Sequence, residues 1–210
     1  MSFMNLIRKN TTTLHSAAEH SGFIKRIIDG NASRESYIEY LFNLSAMYKA
    51  IEDLINTNAE HDVIKNFVTP ELYRYELIKQ DLEFLAGDCL ETMVLLPSTE
   101  AFLARISEIS TSQPELVIAY AYTRFIADLF GGRTFASLLS THYQIEKEGL
   151  NYYQTNQIKD IRAYVMNYAQ KVDEINLPEE RKQAILHEVS MAYIFNLAIS
   201  NELEAKLYLN

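Results

Sequence analysis

Apolar residues recur at helical spacing along almost the whole chain, and no segment shows the alternation typical of a half-buried strand. Polar, glycine-containing or proline-containing stretches separate the periodic segments, and several begin with a serine N-cap or a first-turn proline. The pattern predicts an all-α protein, folded as one domain over residues 1–210, with a looser stretch over 141–156. The predicted helices cover residues 5–19, 23–28, 34–55, 70–85, 97–109, 114–140, 160–174 and 178–206.

The segment from residue 117 to 132 is apolar on nearly every side, which is typical of a helix buried all round. Arg124, Asp128 and the adjacent Gly131 and Gly132 nevertheless share one of its faces. Buried charges are costly unless they are paired, and glycines expose backbone against which a flat ligand can lie. Two interpretations stay open at this point: a helix kinked over a planar cofactor, or a close helix crossing beside an ordinary Arg124–Asp128 pair.

Composition and charge narrow the class of protein. The chain has 210 residues, with 19 Lys and Arg against 28 Asp and Glu, and a net charge of −9. This balance argues against binding to nucleic acid or to an anionic membrane surface. The single Cys89 excludes an internal disulfide framework, and neither a signal peptide nor a membrane-spanning run is evident. We therefore expect a soluble cytoplasmic protein.

One of the five histidines has surroundings that favour metal ligation. His15 lies beside the apolar face of the first predicted helix, and Glu19 follows one turn later, where it can hold the second ring nitrogen. Such a histidine is more often an ordinary core residue than a ligand. A zinc or di-iron site needs several converging His and carboxylate ligands, and no Glu-x-x-His motif occurs. A single histidine ligand suits haem, whose ring supplies four nitrogens.

These segments together resemble the haem oxygenase family. The sequence Leu-His-Ser-Ala-Ala-Glu over residues 14–19 is similar to the family's proximal-ligand motif, His-x-x-Ala-Glu. The stretch from residue 119 to 132 resembles its distal helix, which ends Asp-Leu-Ser-Gly-Gly. Further similarity covers residues 70–74, 80–84 and 192–196, so the resemblance runs from about residue 5 to 205 in the same order. It implies an all-α fold in which haem is sandwiched between a proximal helix and a kinked distal helix.

The resemblance also implies roles for particular residues. His15 corresponds to the axial ligand of the haem iron, and Glu19 to its hydrogen-bond partner. Asp128 corresponds to the residue that holds an ordered water against the bound oxygen. The positions that complete this water network are Tyr48, Arg124 and Asn196. The positions expected to meet the haem itself are Arg8, Tyr122, Gly131 and Gly132.

The activity implied is cleavage of haem to biliverdin, carbon monoxide and ferrous iron. Haem is both cofactor and substrate in such a reaction, and O2 and an external electron donor are required. The family uses ferredoxin, flavin reductases or an NADPH-dependent reductase partner. Neutral imidazole donates electrons more weakly than the thiolate that promotes O–O cleavage in other haem enzymes.

Several positions depart from the family pattern. Ala127 stands where a glycine is usual, and Phe130 replaces a serine, so both side chains are expected close to the haem plane. Val165 and Ala169 occupy positions where a lysine and an arginine usually bind the propionates. We therefore expect a haem less tightly fixed in rotation, with a mixed or non-α product. A non-catalytic haem carrier or sensor remains the alternative function.

Overall fold

The computed structural model describes residues 1–208, and within that range the regular secondary structure is helical, with no strand assigned. The all-α fold class predicted from the sequence is confirmed. In chain order the α-helices are α1 (Phe3–His20), α2 (Gly22–Ile28), α3 (Arg34–Thr57), α4 (Tyr75–Ala86), α5 (Pro97–Ser112), α6 (Val117–Ala121), α7 (Ala127–Tyr143), α8 (Ile161–Asp173) and α9 (Glu179–Lys206).

The two longest helices organise the packing. Helix α9 contacts α1, α2, α5 and α6, while α3 contacts α4, α5 and α6. The buried apolar side chains belong to one continuous cluster, to which every one of these elements contributes. Because α1 and the segment that begins at α6 both pack against α9, the two candidate haem-facing helices are brought to the same region of the molecule.

Several helix starts follow the sequence signals closely. The Ser33 side chain accepts a hydrogen bond from the backbone of Ser36 at 3.1 Å, and Ser36 accepts one from the Ser33 backbone at 3.0 Å. This reciprocal pairing satisfies backbone donors that a helix start otherwise leaves free. Asp160 caps α8 in a similar way, by accepting from the Ala163 backbone at 2.9 Å. Pro97 stands in the first turn of α5, as predicted.

The prediction that a helix starts at Pro70 is wrong. Pro70–Leu72 forms only a 3-10 turn, and α4 begins at Tyr75. The cause lies in α3, where the buried Glu52 carboxylate accepts hydrogen bonds from the backbone N–H groups of Arg74 (2.6 Å) and Tyr75 (3.0 Å). A carboxylate at this position satisfies free donors and favours the helix N-terminus. A contact between residues so distant in sequence has no local signal.

Glu52 gives the fold a testable pH dependence. Burial raises the pKa of its carboxyl from 4.5 to about 7, against the opposing effect of the two backbone hydrogen bonds. The folded protein therefore holds a proton that the unfolded chain releases between these values, so the free energy of unfolding falls as pH rises through that window. Both hydrogen bonds end on Oε1, which glutamine retains. Glu52→Gln should be more stable than the unsubstituted protein at pH 8, by about 1–3 kcal/mol, and similar at pH 4.5.

Urea unfolding at the two pH values measures this difference, with Asp53→Asn as the control. Asp53 is the next residue along, but its side chain is 62% exposed and pairs with Lys49 at the surface. A stability gain in Glu52→Gln that is equal at both pH values would contradict the assignment of the titration to Glu52.

The segment that follows α5 forms a continuous helical path with one irregular section. A 3-10 turn, Pro114–Leu116, leads into α6, and a π-helical section, Tyr122–Ile126, joins α6 to α7. We call the whole path from Val117 to Tyr143 the distal helix. The departure from α geometry thus precedes Gly131 and Gly132, which lie inside regular α-helix. A π-helical section shifts the phase of the side chains that follow it, and such sections are frequent at functional sites.

Within residues 1–208, no helix combines the length and the apolar composition needed to cross a bilayer.

Candidate haem site

A cleft that is open at its mouth separates the end of α1 from the distal helix. Helix α9 and the 3-10 turn Asn151–Tyr153 complete its walls. Most of the predicted site residues line it, which brings together positions from three distant parts of the sequence. The lining residues include His15, Ala18, Glu19, Tyr40, Arg124, Ala127, Asp128, Gly131, Gly132, Tyr152, Tyr153, Tyr193 and Asn196.

His15 presents its ring to this cleft from α1. Its Nδ1 lies 3.6 Å from a Glu19 carboxylate oxygen, and its ring meets the edge of Tyr193 with 5.9 Å between centroids. The side chain is 51% exposed, and none of the described residues hydrogen-bonds to Nε2. An imidazole oriented by a carboxylate at one nitrogen and free at the other is the arrangement that an axial metal ligand needs.

Glycine backbone forms part of the opposite wall. A Cβ added at Gly131 would meet nothing within 4 Å, so this position opens directly onto the cleft. A Cβ at Gly132 would instead lie 3.6 Å from the Tyr153 ring. Ala127 also lines the cleft, as expected from its place in the sequence. The cleft therefore offers one free imidazole nitrogen, an exposed stretch of backbone and several aromatic side chains, which together fit a flat, largely apolar ring with a central metal.

The polar part of the cleft is a hydrogen-bonded network centred on Arg124 and Asp128. The Tyr48 hydroxyl donates to Oδ2 of Asp128, and the Tyr152 hydroxyl donates to Oδ1 at 2.7 Å. Arg124 donates from Nε to the Tyr48 oxygen at 3.2 Å and from Nη2 to the Tyr152 oxygen at 3.0 Å. Its third hydrogen bond runs from Nη1 to Oδ1 of Asn196 at 3.3 Å. The structure thus brings Tyr48, Arg124, Asp128 and Asn196 together.

The hydrogen bonds of this network also show whether Arg124 and Asp128 form an ordinary surface pair. The direct distance from Nη2 of Arg124 to Oδ1 of Asp128 is 3.8 Å, and the side chains are 13% and 12% exposed. Two tyrosine hydroxyls bridge the charges, so this is not the ordinary surface pair that spacing of four residues often indicates. A charged pair this well enclosed is stable because its remaining hydrogen-bond positions are filled.

Burial sets the protonation of the network. Removal from water raises the pKa of the Tyr48 and Tyr152 hydroxyls well above 10, although the nearby Arg124 opposes the rise. Burial alone would lower the pKa of Arg124, but the surrounding tyrosines and Asp128 outweigh it and raise that pKa. Both phenols are therefore neutral hydrogen-bond donors, and the guanidinium stays charged, at neutral pH.

Two predicted haem-binding residues lie outside the cleft walls. Tyr122 is partly buried at the start of the π-helical section and does not line the cleft. Burial raises the pKa of its hydroxyl, while the neighbouring Arg8 guanidinium lowers it. Arg8 itself is an exposed residue of α1, two helical turns before His15 and hence on the same face. The structure therefore places Arg8 and Tyr122 together, next to the site rather than within it.

Two expectations about departures from the family pattern are wrong. Phe130 does not approach the cleft, because its side chain is 65% exposed on the outer surface of α7. Phe130 follows Asp128 by two positions. This spacing corresponds to a rotation of about 200° around the helix, so the two side chains point to opposite sides. Val165 does not stand at a propionate position, because its side chain is buried in the core. Helix α8 thus directs this position inward, where a lysine would be costly.

Tyr152 and Tyr153 are residues of the cleft that sequence reasoning missed. They belong to a short 3-10 turn within the stretch that was expected to be irregular, so no helical periodicity placed them on a face. The buried Asp81 of α4 holds this turn against the distal helix. The only local signal was the presence of two adjacent aromatic residues in an otherwise polar stretch, and that signal does not identify a partner.

Residues 1–208 contain no group of three or more His, Cys, Asp or Glu side chains arranged to hold a metal ion.

Comparison with known proteins gives a consistent result. A family model described as "Heme oxygenase" matches residues 1–202. The heme oxygenase of Rhodella violacea is 32% identical over 201 residues, which cover 95% of this chain and 86% of that protein. Heme oxygenase 1 of Nostoc sp. is 31% identical over 205 residues, which cover 97% and 86% of the two chains.

Solved structures agree with the sequence matches. Heme oxygenase-1 of Synechocystis sp. PCC 6803, solved in complex with heme, superposes with a TM-score of 0.93 at 27% identity, covering 100% of this chain and 95% of that one. The structure of the heme oxygenase of Leptospira interrogans gives a TM-score of 0.90 at 29% identity, covering 96% and 100%. With a family model spanning nearly all of its length and relatives above 30% identity, this chain belongs to the haem oxygenase family.

Proposed function

We propose that this protein opens the ring of haem to biliverdin, with carbon monoxide and ferrous iron as the other products, using O2 and an external electron donor. The observation that carries the proposal is the shared cleft: the free Nε2 of His15 and the Arg124–Asp128 network line opposite parts of it. A non-catalytic haem carrier needs the histidine but has no need for a buried charged network on the other side.

His15 and the glycines are the proposed binding elements. Nε2 of His15 would bind the haem iron, and the Glu19 carboxylate, 3.6 Å from Nδ1, would favour the tautomer that leaves Nε2 unprotonated. Gly131 and Gly132 allow the ring to lie against the distal helix. Arg8 and Tyr122, which are neighbours near the cleft, are proposed to meet a propionate at the haem edge. Bound haem supplies both the iron that binds O2 and the carbon that is oxidised.

The network on the distal helix is proposed to deliver protons. Tyr48 and Tyr152 hold the Asp128 carboxylate, which in turn can hold a water molecule facing the cleft. Arg124 supplies a fixed positive charge, and its hydrogen bond to Asn196 helps to hold the guanidinium against the two phenol oxygens. Weak acids that act through water provide protons gradually, without placing a strong acid at the reacting oxygen.

The electron donor and the compartment complete the proposal. The reaction requires electrons from a ferredoxin or from a flavin- or NADPH-dependent reductase. A cytoplasmic location is consistent with the lone, exposed Cys89, since free thiols persist in reducing compartments. Because Ala169 supplies no cation where the family pattern has an arginine, we propose that the haem is less fixed in rotation and that the product is mixed or non-α biliverdin.

Absorption spectroscopy tests the proposal. The purified protein is titrated with haem and then supplied with ascorbate or with a ferredoxin and its reductase. We expect a histidine-ligated haem spectrum whose Soret band decays while a bilin band grows. Binding without bilin formation under either reductant would favour a carrier or sensor, and absence of any histidine-ligated spectrum would exclude both functions.

Gly131→Ala is expected to change fold stability and haem binding in opposite directions. Alanine in the interior of a helix is about 0.5–1 kcal/mol more stable than glycine, and the added methyl meets no atom of the protein. The haem-free variant should therefore unfold at a slightly higher temperature. The same methyl projects into the cleft, so haem affinity should fall roughly tenfold, an overpacking cost of about 1–2 kcal/mol.

Thermal unfolding and haem titration of the same samples measure both effects. Ser137→Ala, in the same helix but outside the cleft, serves as the control and should leave haem affinity unchanged. Undiminished affinity in Gly131→Ala would show that the bound ring does not reach this wall.

A further inference from the structure

The Tyr152 hydroxyl forms a second bridge between Arg124 and Asp128, parallel to the bridge formed by Tyr48. We infer that Tyr152 is a positioning residue for the Asp128 carboxylate in this protein, an inference that rests on the proposed function. It was not among the residues indicated by the sequence. Its hydroxyl lies 2.7 Å from Oδ1 of Asp128 and 3.0 Å from Nη2 of Arg124, so it accepts from the guanidinium and donates to the carboxylate.

The two bridges act together because each phenol has only one proton to donate. The two phenol oxygens lie 3.0 Å apart, but each has a shorter contact to Asp128. Tyr48 therefore gives its proton to Oδ2 and Tyr152 gives its proton to Oδ1, while separate N–H groups of Arg124 supply the two phenol oxygens. Each carboxylate oxygen therefore has its own donor. The carboxylate cannot rotate about its Cβ–Cγ bond without breaking both hydrogen bonds, whereas a single bridge fixes only one oxygen.

Hydrogen bonds also hold the backbone of Tyr152 in place. Its N–H donates to Oδ2 of Asp81 at 2.8 Å, and the backbone and side-chain N–H groups of Asn151 both donate to Oδ1 of Asp81 at 2.8 Å. Asp81 is fully buried in α4. A Cβ at Gly149 would lie 2.8 Å from Cδ2 of Leu85, so glycine at this position eases the close approach of the segment to α4. Helix α4 is thus a rigid support for the residue that orients Asp128.

The adjacent tyrosine makes the assignment specific. Tyr153 belongs to the same turn and also lines the cleft, but its hydroxyl lies 3.5 Å from the hydroxyl of Tyr37 and makes no hydrogen bond to Asp128. The phenol at position 152 alone in this turn reaches the carboxylate. The turn therefore positions one hydroxyl within the network, which general aromatic packing does not require.

Two parallel bridges predict a coupled response to mutation. Loss of either phenol leaves one carboxylate oxygen held, whereas loss of both frees the carboxylate. Residues of one hydrogen-bond network commonly show such non-additive effects. We therefore expect Tyr152→Phe and Tyr48→Phe each to lower the rate of bilin formation by about tenfold, and the double variant to lose clearly more than the product of the two losses.

The experiment compares Tyr152→Phe, Tyr48→Phe, the double variant and Tyr73→Phe. Tyr73 is the control, because its hydroxyl bonds to Asn56 away from the cleft and its loss should leave every readout unchanged. Haem affinity of Tyr152→Phe should stay within about twofold, because the phenyl ring still fills its place. The pH midpoint of the visible-spectrum transition of the ferric haem complex should shift in Tyr152→Phe, which a purely packing role of this side chain does not predict.

A haem-free readout separates this inference from the proposed function. The crystal structure of haem-free Tyr152→Phe should show the Asp128 carboxylate rotated or in two conformers, with the turn and α4 unchanged. If the unsubstituted protein forms no bilin, the proposed function fails, and this structure still tests the positioning role. An unmoved carboxylate, together with an unshifted pH midpoint, would overturn the inference. Where the unsubstituted protein does form bilin, rate losses in the double variant that simply multiply would overturn it as well.

Discussion

Replacing His15 with alanine is expected to abolish the histidine-ligated haem spectrum and to leave the helical fold intact. No other histidine, cysteine or methionine lines the cleft, so no described residue can substitute as a neutral axial ligand. We expect haem affinity to fall on the order of 100-fold, about 3 kcal/mol of binding free energy. The side chain is half exposed and contacts only Glu19 and the edge of Tyr193, so its loss should change the free energy of unfolding by less than about 1 kcal/mol.

His20→Ala is the matched control for this experiment. His20 lies in the last turn of the same helix, bonds only to the Ser16 carbonyl oxygen and does not line the cleft. Its replacement should preserve the spectrum. Free imidazole added to His15→Ala should restore a histidine-like spectrum, because the cleft is left open at that position. A low-spin histidine spectrum in His15→Ala without added imidazole would mean that the ligand lies elsewhere.

The sequence predicted the starts of those helices whose capping side chain is local. Ser33 and Asp160 mark helix starts because a side chain within a few residues caps the backbone, and that pattern can be read directly. The start of α4 could not be read in this way, because its capping carboxylate, Glu52, lies 22 residues before Arg74. The end of a helix can be predicted from the residues near it only when the capping side chain is one of those residues.

The same distinction applies to the candidate site. Arg124, Asp128 and the glycines share a face of one helix, so their convergence on the cleft followed from helical periodicity. The same periodicity should have excluded Phe130, which follows Asp128 by two residues and therefore points away. Tyr152 could not be placed, because an irregular turn has no period, and its position depends on a buried aspartate 71 residues earlier. Periodicity predicts faces of helices, and buried polar contacts decide where irregular segments lie.

Replacing Asp128 with alanine is expected to leave haem affinity nearly unchanged and to lower bilin formation by on the order of 100-fold, the usual scale for loss of one preorganised electrostatic group. The carboxylate is the shared acceptor of the Tyr48 and Tyr152 hydroxyls, so its loss leaves two phenols and the Arg124 guanidinium without a common partner. Water facing the cleft then loses its fixed acceptor, and proton delivery is no longer directed.

Single-turnover bilin formation, followed with the haem affinity of the same samples, measures the effect of Asp128→Ala. Peroxidase-like oxidation of an added phenol should rise as ring opening falls. Asp128→Asn keeps an oxygen acceptor without the charge and should lie between the alanine variant and the unsubstituted protein. Asp53→Ala removes a surface carboxylate that pairs only with Lys49, and it should retain the full rate. Normal bilin yield from Asp128→Ala would remove this residue from the mechanism and leave its pairing with Arg124 a purely structural feature of the distal helix.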